Sequence, residues 1–171
     1  MTEVTSKRDV IAIDSPSGDP WSEFRQVELV DLHFEQDYVH SLGKVSRFFL
    51  ELEQGRLFGT RCPACARVYL PPRPTCPDCQ QITSWYEMPL TGTVKAFSIM
   101  HFGSAANPDV ERLGTPYVLA YVLHDGASTL MPHILKADPT AVEIGMPVQV
   151  AFADGPVSHP IHLMYYVYVG A

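Results

Sequence analysis

The chain has 171 residues and a formal net charge of −7, a length that suits one ordinary domain or a small module beside a larger one. Its 46% apolar content and near-zero mean hydropathy indicate a soluble globular protein. The excess of acid disfavours the broad positive field that most nucleic-acid binding needs, although it does not exclude a local basic surface.

Residues 1–42 are predicted to form an acidic N-terminal arm, with nine acids and three basic residues before residue 41. The first twenty residues contain few large apolar groups, so we expect them to have no core of their own. Residues 21–34 are more apolar, and we expect them to lie extended over this protein or over a partner. Residues 1–9 lack the long apolar stretch of a secretory signal, so we expect a cytoplasmic protein.

Residues 44–54 are predicted to form a helix that leads into the next part of the chain. Four apolar side chains recur at helical spacing and share one face, while Glu51 and Glu53 are expected to point elsewhere. Gly55 is well placed to end the helix. The four apolar residues are Val45, Phe48, Phe49 and Leu52.

The four cysteines of the chain follow as C-x2-C, ten residues, and C-x2-C, at positions Cys62, Cys65, Cys76 and Cys79. Two such pairs on facing turns place four sulfurs at the corners of a tetrahedron, the arrangement that structural zinc prefers. A proline follows the first cysteine of each pair, which suits a tight turn around a metal. Four thiolates leave no coordination position open, so we expect one structural zinc per chain. We call the segment that carries the two cysteine pairs the ribbon. The predicted helix and the ribbon together are expected to occupy residues 43–84.

Other interpretations of the cysteines stay open. Two disulfides would suit a secreted chain, and reduced cysteines also pack as small hydrophobic residues. Four thiolates also form the iron site of a rubredoxin, so iron is the alternative metal and electron transfer an alternative function.

Arginine is concentrated around the first cysteine pair. Half of the eight arginines, Arg56, Arg61, Arg67 and Arg73, lie there, and residues 55–73 contain no acid. These arginines either balance a four-thiolate site whose net charge is about −2, or they form a surface that binds an anion or a partner.

From Tyr86 onward the sequence pattern becomes β. Five strands with no long helical period predict a small Greek-key barrel such as an OB-fold over residues 85–171. A turn at 124–127 separates the second and third strands, and we expect a polar loop at 103–114 of the kind that carries recognition. The predicted strands are 91–102, 116–123, 129–135, 148–152 and 163–169.

The sequence nominates no independent active site. His124 and Asp125 are adjacent, but Asp-Gly is a turn signal, and neighbouring residues on a strand point to opposite faces. The histidines at 101, 133, 159 and 162 are not linked to a nucleophile by spacing. A metal would occupy all four cysteines, and no P-loop, dinucleotide-binding or H-E-x-x-H motif is present.

The order of motifs over residues 43–153 is more specific than any one motif. After a short helix the series runs Gly55-Arg56-Leu57, Arg61-Cys62-Pro63-Ala64-Cys65, Pro71-Pro72-Arg73, Cys76-Pro77-Asp78-Cys79, Trp85, Gly92-Thr93-Val94, Pro116-Tyr117, Asp125-Gly126 and Gly145-Met146-Pro147-Val148. This series resembles the acyl-CoA-associated family that combines a rubredoxin-like zinc ribbon with an OB-fold. Ala66 departs from the pattern because the family usually has glycine there, and glycine tolerates positive φ more easily than alanine.

The resemblance implies a mainly β fold, with an N-terminal helix and a rubredoxin-like zinc ribbon followed by a five-stranded OB-fold barrel. Members of the family accompany thiolase-fold enzymes; they resemble small subunits of acetoacetyl-CoA and hydroxymethylglutaryl-CoA assemblies, acetylphloroglucinol acyltransferase, steroid side-chain aldolases and benzoylsuccinyl-CoA thiolase. The catalytic residues would then lie on a larger partner.

In that interpretation the chain is a non-catalytic, zinc-binding subunit that supports assembly and acyl-CoA binding, in the degradation of an aromatic or other bulky acyl-CoA. Arg56, Arg61, Arg67 and Arg73 would face the partner or the CoA phosphates. A nucleic-acid-binding ribbon with an OB-fold and a rubredoxin-like electron carrier remain the alternatives.

Overall fold

The computed structural model describes residues 8–12, 26–30, 41–103 and 112–170, with the backbone alone for the first two ranges. The chain divides into two compact units, Met1–His40 and Ser41–Ala171. In the first unit, β1 (Arg8–Ala12) pairs antiparallel with β2 (Gln26–Val30). The other predictions for the acidic arm lie outside the described residues.

The second unit begins with the predicted helix. A turn of 3-10 helix, Gly43–Val45, leads into α1 (Ser46–Glu53), and Gly55 follows it at a φ of 70°, a conformation that favours glycine. Phe48 and Leu52 are buried as predicted. Glu51 is buried as well, which the apolar spacing did not indicate, and two arginines surround its carboxylate.

Three short antiparallel strands form the ribbon, in the order β4-β3-β5. They are β3 (Phe58–Arg61), β4 (Val68–Tyr69) and β5 (Ser84–Glu87). Gly59 is required at the centre of the sheet because a Cβ there would lie 2.6 Å from the carbonyl oxygen of Tyr69.

Five longer strands follow: β6 (Thr91–Met100), β7 (Tyr117–His124), β8 (Leu130–Lys136), β9 (Pro147–Phe152) and β10 (Met164–Tyr168). They close into a barrel in the order β10-β8-β7-β6-β9. The β8–β10 contact is parallel, and the other contacts around the barrel are antiparallel. The five predicted strands and the OB-fold barrel are therefore confirmed, whereas residues 104–111 of the predicted polar loop lie outside the described residues.

One apolar core runs from the barrel into the helix and the ribbon. Its members are buried because alternate residues of each barrel strand face inward, and α1, β4 and the residue before β3 add side chains from outside the barrel. No helix in the described part of the chain is long and apolar enough to cross a membrane. Core residues from the barrel include Val94, Val118, Val122, Val148 and Tyr166, and those from outside it include Phe48, Leu52, Leu57, Val68 and Leu70.

Strand β4 is attached to the barrel by backbone and hydroxyl hydrogen bonds. The amide of Ser128 donates to the carbonyl of Val68 at 2.8 Å, and its Oγ accepts from the amide of Val68 at 3.1 Å. Thr129 Oγ1 both accepts from the amide of Leu70 and donates to its carbonyl, each at 2.9 Å. The turn between β7 and β8 therefore holds the ribbon against the barrel.

Candidate metal centre

Two backbone turns of the same geometry carry the cysteines. We call these turns knuckles, and the first knuckle is Cys62–Arg67. In it the amide of Cys62 donates to the carbonyl of Arg67 at 2.9 Å, and the amide of Ala66 donates to the carbonyl of Cys62 at 3.0 Å. The second knuckle, Cys76–Gln81, makes the same two bonds, each at 2.9 Å. The backbone hydrogen bonds of each turn therefore fix the positions of its two cysteines without any contribution from a metal.

Each knuckle also places a non-glycine residue in the left-handed region. Ala66 has a φ of 59° and Gln80, at the equivalent position, has a φ of 53°. A side chain in this conformation costs about 1–2 kcal/mol per residue. Ala66 and Gln80 therefore carry similar backbone strain.

The four sulfurs are close enough together to share one metal ion. All four Sγ atoms lie within 4.8 Å of one another, and the Sγ atoms of Cys65 and Cys76 are 3.7 Å apart. Metal–sulfur bonds of about 2.3 Å in a tetrahedron separate sulfurs by about 3.8 Å, so the donor set fits a tetrahedral ion. A disulfide would need about 2.0 Å, and all four cysteines are free thiols.

The four thiols differ in exposure and in their neighbours. Cys62 and Cys76 are 1% and 0% exposed, whereas Cys65 is exposed and Cys79 is half-buried. The two buried cysteines pack with Tyr69, whose hydroxyl oxygen lies 3.1 Å from the Sγ of Cys76. The hydrogen bond from Tyr69 lowers the pKa of Cys76 to about 6 and raises the pKa of Tyr69 to about 12. Such a bond stabilises the thiolate, the form that binds metal.

An ion pair also joins the two knuckles on the surface. Arg67 of the first knuckle pairs with Asp78 of the second, and this carboxylate raises the pKa of the Arg67 guanidinium. The guanidinium of Arg73 lies 5.8 Å from the centre of the Tyr69 ring. Two of the four predicted arginines therefore lie beside the thiolate cluster.

Arg56 has a different role, at the end of α1. It pairs with the buried Glu51 carboxylate, to which Arg47 also donates from the other side at 3.0 Å. Arg47 in turn lies 5.3 Å from the ring centres of both Phe58 and Trp85. Sequence reasoning missed this cluster, although the spacing of four residues between Arg47 and Glu51 is typical of a helical ion pair.

The four predicted arginines do not share one environment. Arg61 lies 5.7 Å over the ring of Tyr86. Within the described ranges neither Arg61 nor Arg73 has a carboxylate partner, whereas Arg56 and Arg67 each have one.

An apolar groove of about 370 Å³ lies beside the ribbon. It runs between α1, the proline segment after β4 and the barrel. A smaller groove of about 60 Å³ shares Val45 and Pro72 with it and continues toward Ile82 and Trp85. Neither the residues that line the larger groove nor those that line the smaller one include an aspartate or a glutamate. The larger groove is lined chiefly by Leu42, Val45, Phe48, Phe49, Met131 and Ile161.

His124 is a buried structural residue. Its Nδ1 lies 3.2 Å from the carbonyl of Pro89 and its Nε2 lies 3.0 Å from the hydroxyl of Tyr166. A carbonyl only accepts, so Nδ1 carries the proton and Nε2 accepts from the tyrosine. Burial lowers the pKa of His124 and keeps the ring neutral. The predicted turn follows at Asp125 and Gly126, and the partners of both ring nitrogens of His124 are Pro89 and Tyr166 rather than Asp125.

Two family models match the chain. Residues 51–81 match the rubredoxin-like zinc ribbon domain of ChsH2, and residues 85–153 match the C-terminal OB-fold domain of ChsH2. Residues 82–84 separate the two matched ranges.

Individual proteins also resemble the chain. A DUF35 domain-containing scaffold protein of Methanocaldococcus jannaschii is 35% identical over 98 residues, which are 56% of this chain and 67% of that protein. A probable enoyl-CoA hydratase alpha subunit of Thermomonospora curvata is 31% identical over 116 residues, which are 67% of this chain and 35% of that protein. The solved structure of an Ltp2–ChsH2(DUF35) aldolase aligns with a TM-score of 0.57 and 26% identity, covering 78% of this chain and 97% of that one.

Proposed function

Because the chain belongs to the DUF35 family, we propose that it is a non-catalytic, zinc-binding subunit of a thiolase-fold acyl-CoA complex. The observation that carries the proposal is the similarity to the Ltp2–ChsH2(DUF35) aldolase, in which nearly the whole of the aligned chain is matched. The catalytic subunit would be a thiolase, an acyltransferase or an aldolase.

The chemistry of the metal site supports a structural role. When bound, zinc would cross-link the two knuckles through Cys62, Cys65, Cys76 and Cys79. Four thiolates fill a tetrahedral ion, so substrate has no position to occupy. We therefore assign the reacting groups to the partner.

The apolar grooves beside the ribbon are the surface that we assign to the catalytic subunit. Leu42 and Ile82 are 44% and 72% exposed there, and large exposed apolar side chains grouped on one surface are typical of interfaces. The lining residues include no acid, while Lys44 stands at the smaller groove. An apolar partner surface with an acidic edge would complement them.

We place an acyl-CoA, aromatic or otherwise bulky, at or near this interface. Arg61 and Arg73 are the better candidates for its phosphates, because among the described residues each guanidinium lies over an aromatic ring and has no carboxylate partner. A guanidinium bound to a phosphate makes charge-assisted hydrogen bonds. Arg56 and Arg67 would first have to leave a carboxylate.

Affinity purification from the native extract tests the proposal. The tagged chain should recover a thiolase-fold protein, and acyl-CoA turnover should require both proteins. Turnover of acyl-CoA by the purified chain alone would overturn the subunit assignment. Recovery of nucleic acid in place of protein would favour the nucleic-acid alternative, and a coloured, iron-containing chain would favour the electron carrier.

Charge-reversal and apolar-to-acid variants then locate the surface. Leu42→Glu and Ile82→Glu should weaken the complex, whereas Ile144→Glu, at a position 69% exposed outside both grooves, should not. Equal effects of all three changes would reject the groove as the docking surface.

A second set of variants tests the arginines. Arg61→Glu and Arg73→Glu should raise the acyl-CoA concentration needed for half-maximal turnover, and Lys95→Glu on β6 is the matched control. An unchanged requirement for acyl-CoA would remove both arginines from the proposed CoA site.

A further inference from the structure

The metal centre has a closed side and an open side. The first cysteine of each knuckle, Cys62 and Cys76, is enclosed by protein, and the second, Cys65 and Cys79, reaches the surface. A competing ligand in solution therefore approaches the metal past Cys65 and Cys79.

Tyr69 strengthens the closed side. Its backbone is fixed in β4 opposite Thr60, its side chain is 3% exposed, and Arg73 covers its ring. Its hydroxyl lies 3.1 Å from the Sγ of Cys76, on the opposite knuckle. A thiolate only accepts, so the phenol donates, and hydrogen bonds to charged groups are stronger than those between neutral groups.

We propose that Tyr69 is a positioning residue for the metal: its hydrogen bond holds the Cys76 sulfur in place, so that metal leaves through the edge formed by Cys65 and Cys79. The inference concerns the four-thiolate site alone and does not depend on the identity of the partner. A hydrogen bond from a residue that does not itself bind the metal orients the ligand and tunes metal affinity.

The proposal fixes an order of events during metal transfer. With metal bound, Cys65 and Cys79 would be the ligands that a chelator displaces first, because these two cysteines reach the surface. Cys76 would be displaced last, because its sulfur is buried and the Tyr69 hydroxyl holds it in place. Without that hydroxyl, the Cys76 sulfur loses its hydrogen-bond partner and becomes easier to displace.

Zinc release from the full chain into excess chromogenic chelator tests this order. Tyr69→Phe removes the hydroxyl and keeps the ring, and we expect release to be about tenfold faster, equivalent to about 1.4 kcal/mol. Tyr86→Phe is the matched control, since Tyr86 also lies under an arginine but contacts no cysteine in the described structure. Release rates for Tyr69→Phe within twofold of the unaltered chain would overturn the proposal.

A spectroscopic readout separates a lost hydrogen bond from general loosening. In cobalt-loaded chain, Tyr69→Phe should move the thiolate-to-metal charge-transfer band to lower energy, because the Cys76 sulfur becomes more electron-rich. The tetrahedral ligand-field bands should keep their intensity. An unmoved charge-transfer band in the folded variant would contradict a direct bond to the thiolate.

Alkylation of the metal-loaded, unaltered chain provides a test that needs no variant. Iodoacetamide forms a sulfur–carbon bond and releases iodide, and peptide mass spectrometry identifies the modified cysteine. With less than one equivalent, we expect label on Cys65 and Cys79 before Cys62 and Cys76. Early labelling of Cys76 would disprove the proposed exit side.

Discussion

The metal knuckles and the barrel of this chain are stabilised in different ways. The barrel encloses a continuous set of valines, leucines and methionines, and its strands form a closed ring of hydrogen bonds. The knuckles bury little more than Cys62, Tyr69 and Cys76 and rely on four sulfurs that meet at one point. A segment too short to build an apolar core can thus be held by metal–ligand bonds.

Strand β4 lies at the border between the two modes of stabilisation. Val68 and Leu70 belong to the apolar core that extends from the barrel, whereas Tyr69 between them belongs to the cysteine cluster. Successive side chains of a strand point to opposite sides, so one short strand serves both regions. The comparison predicts that each region can be weakened without the other.

The largest effect is expected from Cys62→Ser or Cys76→Ser. Either change removes one thiolate of the tetrahedron and should release about one metal per chain. Apparent binding energies of structural zinc are about 10–16 kcal/mol, so the knuckles should unfold while the barrel persists. Metal analysis and amide exchange check this, and stoichiometric metal in either variant would refute the four-thiolate site.

Leu135→Ala should produce the opposite pattern. Leu135 is 2% exposed in the barrel core, and removal of such a side chain typically destabilises by about 2–5 kcal/mol. Urea unfolding should report this loss, and the folded variant should keep its metal. Metal loss from the folded variant would show that the two regions are not independent.

Acid should weaken the barrel through His133. Burial and the neighbouring His162 lower the pKa of His133 to about 4 from its usual 6.5, so the unfolded chain binds the proton first as pH falls. Stability is therefore complete above pH 6.5 and declines toward pH 4, by about 2 kcal/mol between pH 7 and pH 5. His133→Gln should remove that part of the pH dependence of urea unfolding, and His101→Gln, at an exposed position, should not.

Thr129→Val tests the attachment of the ribbon to the barrel. The change keeps the shape of the side chain but leaves the amide and carbonyl of Leu70 without their hydroxyl partner, and Leu70 is fully buried. Unsatisfied buried groups cost about 1–3 kcal/mol. Thr115→Val, at an exposed position, is the control for urea unfolding, and equal stability of the two variants would contradict the proposed attachment.

Ala66→Gly should have the smallest effect, and it should stabilise. Ala66 has a positive φ that glycine adopts without penalty, so we expect the change to remove about 1 kcal/mol of backbone strain at the first knuckle. Ala64→Gly, in the same turn without a positive φ, should not stabilise. Zinc affinity measured by competition checks the pair, and weaker binding by Ala66→Gly would contradict the strain at this position.

Local sequence patterns were sufficient to predict the structural features that depend on the spacing of residues along the chain. The cysteine pairs predicted the thiolate cluster, and β-rich segments separated by turns predicted the five barrel strands. The burial of Glu51 could not be predicted this way, because it depends on Arg56, which lies beyond the end of the helix. The contact between Tyr69 and Cys76 depends on how two knuckles fold against each other, which residue spacing does not specify.

The apolar core that crosses from barrel to ribbon has a consequence for fragments of this protein. Cutting at residue 85 would divide β5 and uncover the barrel surface that Leu57, Val68 and Leu70 protect. Such a fragment would expose this apolar surface and would aggregate, even though all five barrel strands were present. A fragment that begins at Ser41 keeps this apolar surface covered. It is therefore the better fragment for crystallisation and binding assays.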